Sequence, residues 1–207
     1  MTRRDRFKPT RRGMLQLAAG LAVTAGVATS TRAAKVSTKA RIVILGAGAA
    51  GTAIANRLVA RLDGASITII DPRAEHLYQP GLSLVAAGLK PPSYVVSTTT
   101  EWLPAGITYL AQSARAIDPV AKRVDTSGGT KLDYDFLIVA TGLVLDHDAI
   151  EGFSLDMVGK NGIGALYAGP QYAARTWEAV KAFTETGGQA ISTRPATEMK
   201  CAGAPLK

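Results

Sequence analysis

Three glycines lie at a spacing that could bind a dinucleotide. Gly46, Gly48 and Gly51 form a G-x-G-x-x-G pattern between an apolar run, Arg41–Leu45, and a stretch with helical periodicity. Such glycines permit a tight turn, close approach of the backbone to a pyrophosphate, and close packing of helix on strand. Asp71 ends the next apolar run, 25 residues after Gly46, where a carboxylate can bind a ribose hydroxyl. The pattern predicts a dinucleotide site; the alternative is a glycine turn in another kind of α/β protein.

One thiol could do covalent chemistry. Cys201 is the only cysteine, and it lies between Lys200 and the small residues at 202–204. It cannot form a disulfide within this chain, so it is either a buried structural residue or a working nucleophile whose partner lies elsewhere. Lys200 favours the thiolate, which is the nucleophilic form. The segment leading to this cysteine carries no second G-x-G-x-x-G, which disfavours NAD(P)H as the reductant.

Alternating strands and helices must position these residues. Strands are predicted at Ala65–Asp71 and at Phe136–Ala140, the latter returning the chain beside the first strand. Shorter strands are predicted around Ala114–Ile117 and at Gln189–Thr193, and a helix is predicted to begin near Pro170. This order of elements predicts an α/β fold.

The net charge of +8 is concentrated in the N-terminal segment. Residues 1–41 carry ten Lys or Arg and one Asp, whereas residues 42–207 carry fourteen Lys or Arg and fifteen Asp or Glu. The remainder is therefore nearly neutral, which argues against nucleic-acid binding. The two histidines have no metal-ligand neighbours at a suitable spacing, so no metal site is predicted.

The N-terminal segment has the features of an export signal. Arg11 and Arg12 directly precede an apolar stretch, Met14–Ala28, which is shorter than the roughly 20 residues that span a bilayer. The arginine pair resembles a twin-arginine signal, which implies export to a bacterial periplasm. An ordinary secretory signal or an uncleaved anchor is the alternative. The predicted organisation is a signal and linker at 1–39, a dinucleotide-binding domain at 40–150, and the beginning of a second domain at 151–207.

Several segments together resemble one family of flavoproteins. The stretches HLYQPGLSLVAAG (76–88) and YDFLIVATG (134–142) are similar to segments of sulfide:quinone oxidoreductases, as are GLVLDHDAIEGF, TWEAVKAF and the KCAGAP around Cys201. The similarity extends from Arg41 to Lys207. It implies a Rossmann-like FAD-binding domain of a two-dinucleotide-domain flavoprotein, followed by the start of a second α/β domain. It also implies FAD rather than NAD at the glycine turn.

The resemblance assigns roles to individual residues. Cys201 matches a catalytic cysteine, which implies a nucleophile and sulfur carrier. The adenosine half of FAD would be held by the glycine turn and the following acid, and further contacts would come from the middle of the chain. The implied cofactor-binding residues are Gly46, Gly48, Ala49, Ala50, Gly51, Asp71, Gln79, Ala114, Thr141 and Gly142.

The family's reaction implies three kinds of partner. Sulfide would be oxidised through a cysteine persulfide and FAD, electrons would pass to a membrane quinone, and sulfur would leave to an acceptor. Relative to that family the chain ends roughly halfway, before the partner cysteine and the C-terminal surface that contacts quinone and membrane. It is therefore expected to be an N-terminal fragment that is inactive alone. The expected location is the periplasmic face of the inner membrane, with peripheral contact through the missing C-terminal part.

Two other functions remain open. One is the flavoprotein subunit of a flavocytochrome c sulfide dehydrogenase, which would pass electrons to haem. A partner cysteine near residues 76–82 would favour that subunit, and the sequence has none there. The other is a non-catalytic FAD-binding remnant, which would be yellow but would not be bleached by sulfide.

Overall fold

A computed structural model of the chain describes residues 34–193. The chain divides into two units, residues 1–36 and 37–207, and the fold given below is that of the second. Residues 1–33 of the predicted signal and linker at 1–39 lie outside the described residues, as does the predicted nucleophile Cys201.

The described residues contain eleven strands and three α-helices, connected by short 3₁₀ segments. The strands are β1 (Val36–Ser37), β2 (Arg41–Leu45), β3 (Leu62–Asp63), β4 (Ser66–Ile70), β5 (Glu75–Leu77), β6 (Val96–Thr98), β7 (Thr108–Leu110), β8 (Ala114–Asp118), β9 (Arg123–Thr126), β10 (Lys131–Asp133) and β11 (Phe136–Val139). The helices are α1 (Ala49–Arg61), α2 (Leu82–Ala86) and α3 (Pro170–Thr186).

A four-stranded parallel sheet forms the centre, in the order β11-β2-β4-β7. Within β2, Val43 lies opposite Leu137 of β11 on one side and opposite Thr68 of β4 on the other. The apolar, β-branched strands β2 and β4 are largely buried, as parallel strands covered on both faces are expected to be. This architecture confirms the predicted α/β class and the predicted return of the chain beside the first strand.

Side-chain alternation along β2 builds a core on each face of the sheet. Ile42 and Ile44 belong to a cluster that includes Ala55 of α1. Val43 and Leu45 belong to a second cluster with Val124 of the antiparallel sheet β10-β9-β8. A period of two sends successive residues to opposite faces, so one strand supports both layers.

The helix predicted from Pro170 is confirmed as α3, which packs on α2 through a cluster that includes Val85 and Ala173. The indole of Trp177 lies directly against Gly88, whose φ of +70° favours glycine. The strand predicted at Gln189–Thr193 is wrong, because these residues have no regular secondary structure. A strand needs a hydrogen-bonded neighbour, and none of residues 34–193 pairs with this segment.

A charged cluster joins the start of β2 to the start of β11. Asp135 accepts hydrogen bonds from the backbone N–H of Arg41 at 2.7 Å and from its guanidinium Nη2 at 3.0 Å. The bond from the guanidinium has the larger effect and the backbone bond the next largest, and together they lower the pKa of Asp135 to about 2. The ionised carboxylate therefore holds two neighbouring strands together at the edge from which both begin.

This cluster predicts a specific acid sensitivity. Because the folded-state pKa of Asp135 lies below the unfolded value of roughly 3.9, its stabilisation is complete above that value and is lost as the pH falls through about 2. Between these values we expect the free energy of unfolding, measured in urea, to fall more steeply for the wild type than for Asp135→Asn. Asp156→Asn, at an exposed carboxylate, is the control; parallel profiles for Asp135→Asn and wild type would contradict the assignment.

Candidate cofactor-binding site

The glycine turn follows β2 and packs directly on the end of β11. Gly46 has φ +98°, and its N–H donates to the carbonyl of Ile70 at 2.8 Å. A Cβ at Gly46 would overlap the carbonyl of Ala140 and lie 3.2 Å from the Cα of Thr141. The turn can approach this closely only because residue 46 has no side chain. Two segments that the sequence analysis singled out separately are thus brought together.

The second and third glycines shape the start of α1. Gly48 is its N-cap residue, with no side-chain cap and no acidic residue in the first turn of the helix. A Cβ at Gly51 would overlap the carbonyl of Gly46, so this position also requires glycine. Ala49 and Ala50 are exposed at the helix start. Since the first-turn N–H groups have no partner within the helix, this end suits a pyrophosphate.

Asp71 lies just beyond β4, beside this turn. Its side chain is only 4% exposed and accepts a hydrogen bond from the backbone N–H of Ala47 at 2.8 Å. Arg73 forms a bidentate pair with the same carboxylate, with its Nε at 3.1 Å and its Nη2 at 3.0 Å. Burial raises the pKa of Asp71, but the bonds from Arg73 and Ala47 outweigh it and the net pKa is lowered. Asp71 is therefore an ionised acceptor fixed against the glycine turn.

Three further side chains support this site, and the first two of them were not predicted from the sequence. Arg73 is one, and Tyr109 of β7 is the second: its hydroxyl lies 3.1 Å from the carbonyl oxygen of Asp71 and 3.0 Å from that of Arg73. The third is His76, whose Nδ1 lies 3.3 Å from the carbonyl oxygen of Ala47. The signal for Tyr109 was its position on β7, which pairs in parallel with β4. Neighbouring parallel strands end at the same edge of a sheet, so a tyrosine near the end of β7 can reach the residues that follow β4. Together these side chains fix the turn that carries Asp71.

The remaining predicted residues are spread over the surface of the domain. Thr141 and Gly142 are exposed directly after β11, and a Cβ at Gly142 would have no atom within 4 Å. Gln79 is exposed at the start of the 3₁₀ segment Gln79–Gly81, and Ala114 is exposed at the start of β8. The structure thus places Thr141 against the glycine turn, while the contacts proposed for Gln79 and Ala114 stay predictions.

The residues present fit the diphosphate of a dinucleotide. A Cβ at Gly46 or Gly51 would overlap backbone atoms of the turn or of its neighbour, and Gly48 is the N-cap residue of α1. The unpaired N–H groups at the start of α1 face the same turn. A carboxylate lies at the end of the neighbouring strand. Gly46, Gly48, Ala49, Ala50 and Gly51 would hold the phosphates, and Asp71 the adjoining ribose.

Comparison with known proteins agrees with this geometry. Residues 40–185 match the family described as pyridine nucleotide-disulphide oxidoreductase. The chain is 34% identical over 170 residues to the mitochondrial sulfide:quinone oxidoreductase of Mus musculus, covering 80% of this chain and 36% of that protein. It is 34% identical over 174 residues to the mitochondrial sulfide:quinone oxidoreductase of Dictyostelium discoideum, covering 84% of this chain and 38% of that protein. The chain therefore spans little more than a third of the length of these relatives.

The fold is shared with a solved structure. The X-ray structure of the sulfide:quinone oxidoreductase from Aquifex aeolicus superimposes with a TM-score of 0.51 at 22% identity, covering 72% of this chain and 33% of that one. The resemblance to sulfide:quinone oxidoreductases that was stated from the sequence is confirmed. FAD, which that resemblance implied, is the cofactor of this Rossmann-like domain. The matched family covers most of the chain, and the chain belongs to the pyridine nucleotide-disulphide oxidoreductases.

Proposed function

We propose that this chain is the FAD-binding part of a flavoprotein that oxidises sulfide and passes the electrons to a membrane quinone. The observation that carries the proposal is the 34% identity, over 80% and 84% of this chain, with two relatives named sulfide:quinone oxidoreductase. The geometry supports it, because the glycine turn, Asp71 and Thr141 converge at one end of the central sheet. The activity proposed is that of the whole protein.

The described residues would bind and orient the cofactor. Gly46 and Gly51 let the turn close, and the start of α1 directs its N–H groups toward the pyrophosphate. Asp71 is ionised and would accept hydrogen bonds from the ribose hydroxyls. Thr141 and Gly142 would contact the cofactor from the end of β11, with Gln79 and Ala114 as further contacts. When bound, FAD would supply the two-electron oxidation of sulfide sulfur and the transfer of those electrons to quinone.

Cys201 is the proposed nucleophile and sulfur carrier. The sulfur taken from sulfide would be held on this thiol as a persulfide, and the two electrons released when the sulfur–sulfur bond forms would pass to FAD. The outer sulfur would then leave to an acceptor. Support comes from the resemblance of KCAGAP to the cysteine segment of the sulfide:quinone oxidoreductases and from Lys200, which favours the thiolate.

We also propose that the protein acts in a bacterial periplasm, on the membrane face. The arginine pair before the apolar stretch 14–28 supports export. Among residues 34–193, no helix has the length and apolar character needed to cross a membrane. The proposed contact with the quinone pool is peripheral, as the resemblance to the sulfide:quinone oxidoreductases implies.

The test is a two-step redox titration of the intact protein loaded with FAD under anaerobic conditions. We expect sulfide to bleach the yellow colour and a soluble ubiquinone analogue to restore it. Restoration by cytochrome c but not by quinone would overturn the proposal in favour of the flavocytochrome alternative. A yellow protein that sulfide does not bleach would overturn it in favour of the non-catalytic remnant.

A further inference from the structure

The carboxylate of Asp71 has no free acceptor position in this structure. Its Oδ1 accepts from the backbone N–H of Arg73 at 2.9 Å and from Nε of Arg73 at 3.1 Å. Its Oδ2 accepts from the backbone N–H of Ala47 at 2.8 Å and from Nη2 of Arg73 at 3.0 Å. A carboxylate offers about four lone-pair sites, and all are taken. A ribose hydroxyl can therefore bind Asp71 only if one of these donors leaves.

The side chain of Arg73 is the donor that can leave. The two backbone N–H groups are fixed, because Ala47 belongs to the glycine turn and Tyr109 holds the backbone of residues 71 and 73. In contrast, the Arg73 side chain is 60% exposed. It borders an open groove of about 790 Å³, whose lining includes Glu75 and Pro170. The guanidinium thus has solvent and free volume beside it.

A displaced guanidinium would still lie beside the phosphate end of the site. Nη2 of Arg73 is 3.9 Å from where a Cβ of Gly48 would be, at the N-cap of α1. The first turn of α1 has no acidic residue to compete for the guanidinium. A guanidinium matches the geometry of phosphate oxygens, and a helix start attracts the same negative charge.

We propose that Arg73 is a cofactor-binding residue that pairs with Asp71 in the empty protein and shifts to the FAD pyrophosphate when the ribose replaces it on Asp71. The shift leaves neither charged group without hydrogen-bond donors: the diphosphate takes the guanidinium, while Asp71 keeps its two backbone donors and gains hydroxyl donors. The inference rests on FAD binding at the glycine turn. Arg73 would then have opposite effects on the affinity for the two halves of the ligand, because its side chain competes with the ribose for Asp71 but attracts the phosphates.

The test is calorimetric titration of the intact, FAD-free protein with ADP and with adenosine, which share the ribose but differ in the diphosphate. We expect Arg73→Gln to weaken ADP binding about tenfold or more, the usual effect of losing a charge-assisted hydrogen bond. The same variant should bind adenosine more tightly than the wild type, because its Asp71 has free acceptor positions. Arg57→Gln, at an exposed arginine on α1, is the matched control and should change neither affinity.

Other outcomes would overturn the inference. If Arg73→Gln weakens both ligands equally, Arg73 only stabilises the turn; if it weakens neither, Arg73 does not reach the phosphates. Should the glutamine variant fail to fold, Arg73→Lys decides the matter, because it keeps the charge but loses the two-pronged grip on Asp71. We expect that variant to bind adenosine more tightly and ADP almost as well. A wild type that binds neither FAD nor ADP would instead refute the cofactor assignment itself, and the role of Arg73 with it.

Discussion

Replacing Gly46 with alanine is expected to abolish FAD binding and to destabilise the domain. The new Cβ would overlap the carbonyl of Ala140, a backbone atom at the end of β11 that cannot move without opening the central sheet. The backbone at residue 46 also has φ +98°, a conformation that costs a non-glycine residue about 1–3 kcal/mol. The measurements are FAD retention after purification, read from the flavin absorbance, and the midpoint of urea unfolding.

Gly106→Ala separates the two causes. Gly106 has φ +87°, but a Cβ there would meet no atom within 4 Å. The control variant should therefore lose only the stability that backbone strain costs, which is about the same at both positions, and it should retain FAD. If Gly46→Ala binds FAD as well as Gly106→Ala does, the close contact between the glycine turn and β11 is not needed for the cofactor, and the site has been placed wrongly.

Replacing Cys201 with serine is expected to eliminate bleaching of the flavin by sulfide in the intact protein. Serine is nearly the same size as cysteine, but its hydroxyl is not a nucleophile at neutral pH without an activating base. No persulfide could then form at this position, and the transfer of electrons from sulfide should fall to the background rate. The measurement is the flavin absorbance after mixing with sulfide in the absence of oxygen.

Dithionite provides the control for this variant, because it reduces flavins without a cysteine. We expect Cys201→Ser to bind FAD normally and to be bleached fully by dithionite. A variant that sulfide still bleaches at the wild-type rate would show that the only thiol in this chain is not the nucleophile. The assignment of Cys201 would then be withdrawn, while the FAD site formed by the described residues would be unaffected.

Much of this fold could be predicted from the sequence because its signals are local. The apolar runs that became β2, β4 and β11 are continuous and β-branched, and the glycine spacing has one well-understood structural use. The roles of Arg73 and Tyr109 could not be predicted in this way. Both depend on which strand lies beside β4 and how the chain turns after it, which no single segment specifies. The predicted strand at 189–193 failed for a related reason, since a strand exists only with its neighbour.

The contact between Gly46 and Ala140 also sets an order of events during synthesis. The two residues are separated by 94 positions in the chain, yet they form adjoining walls of one site. A ribosome that has made only β2, α1 and β4 has produced the glycine turn without the strand against which it closes. Pairing over so many residues is slow compared with helix formation. Cofactor loading must therefore wait until β11 has emerged and docked, and the edge of β2 stays open to wrong partners until then.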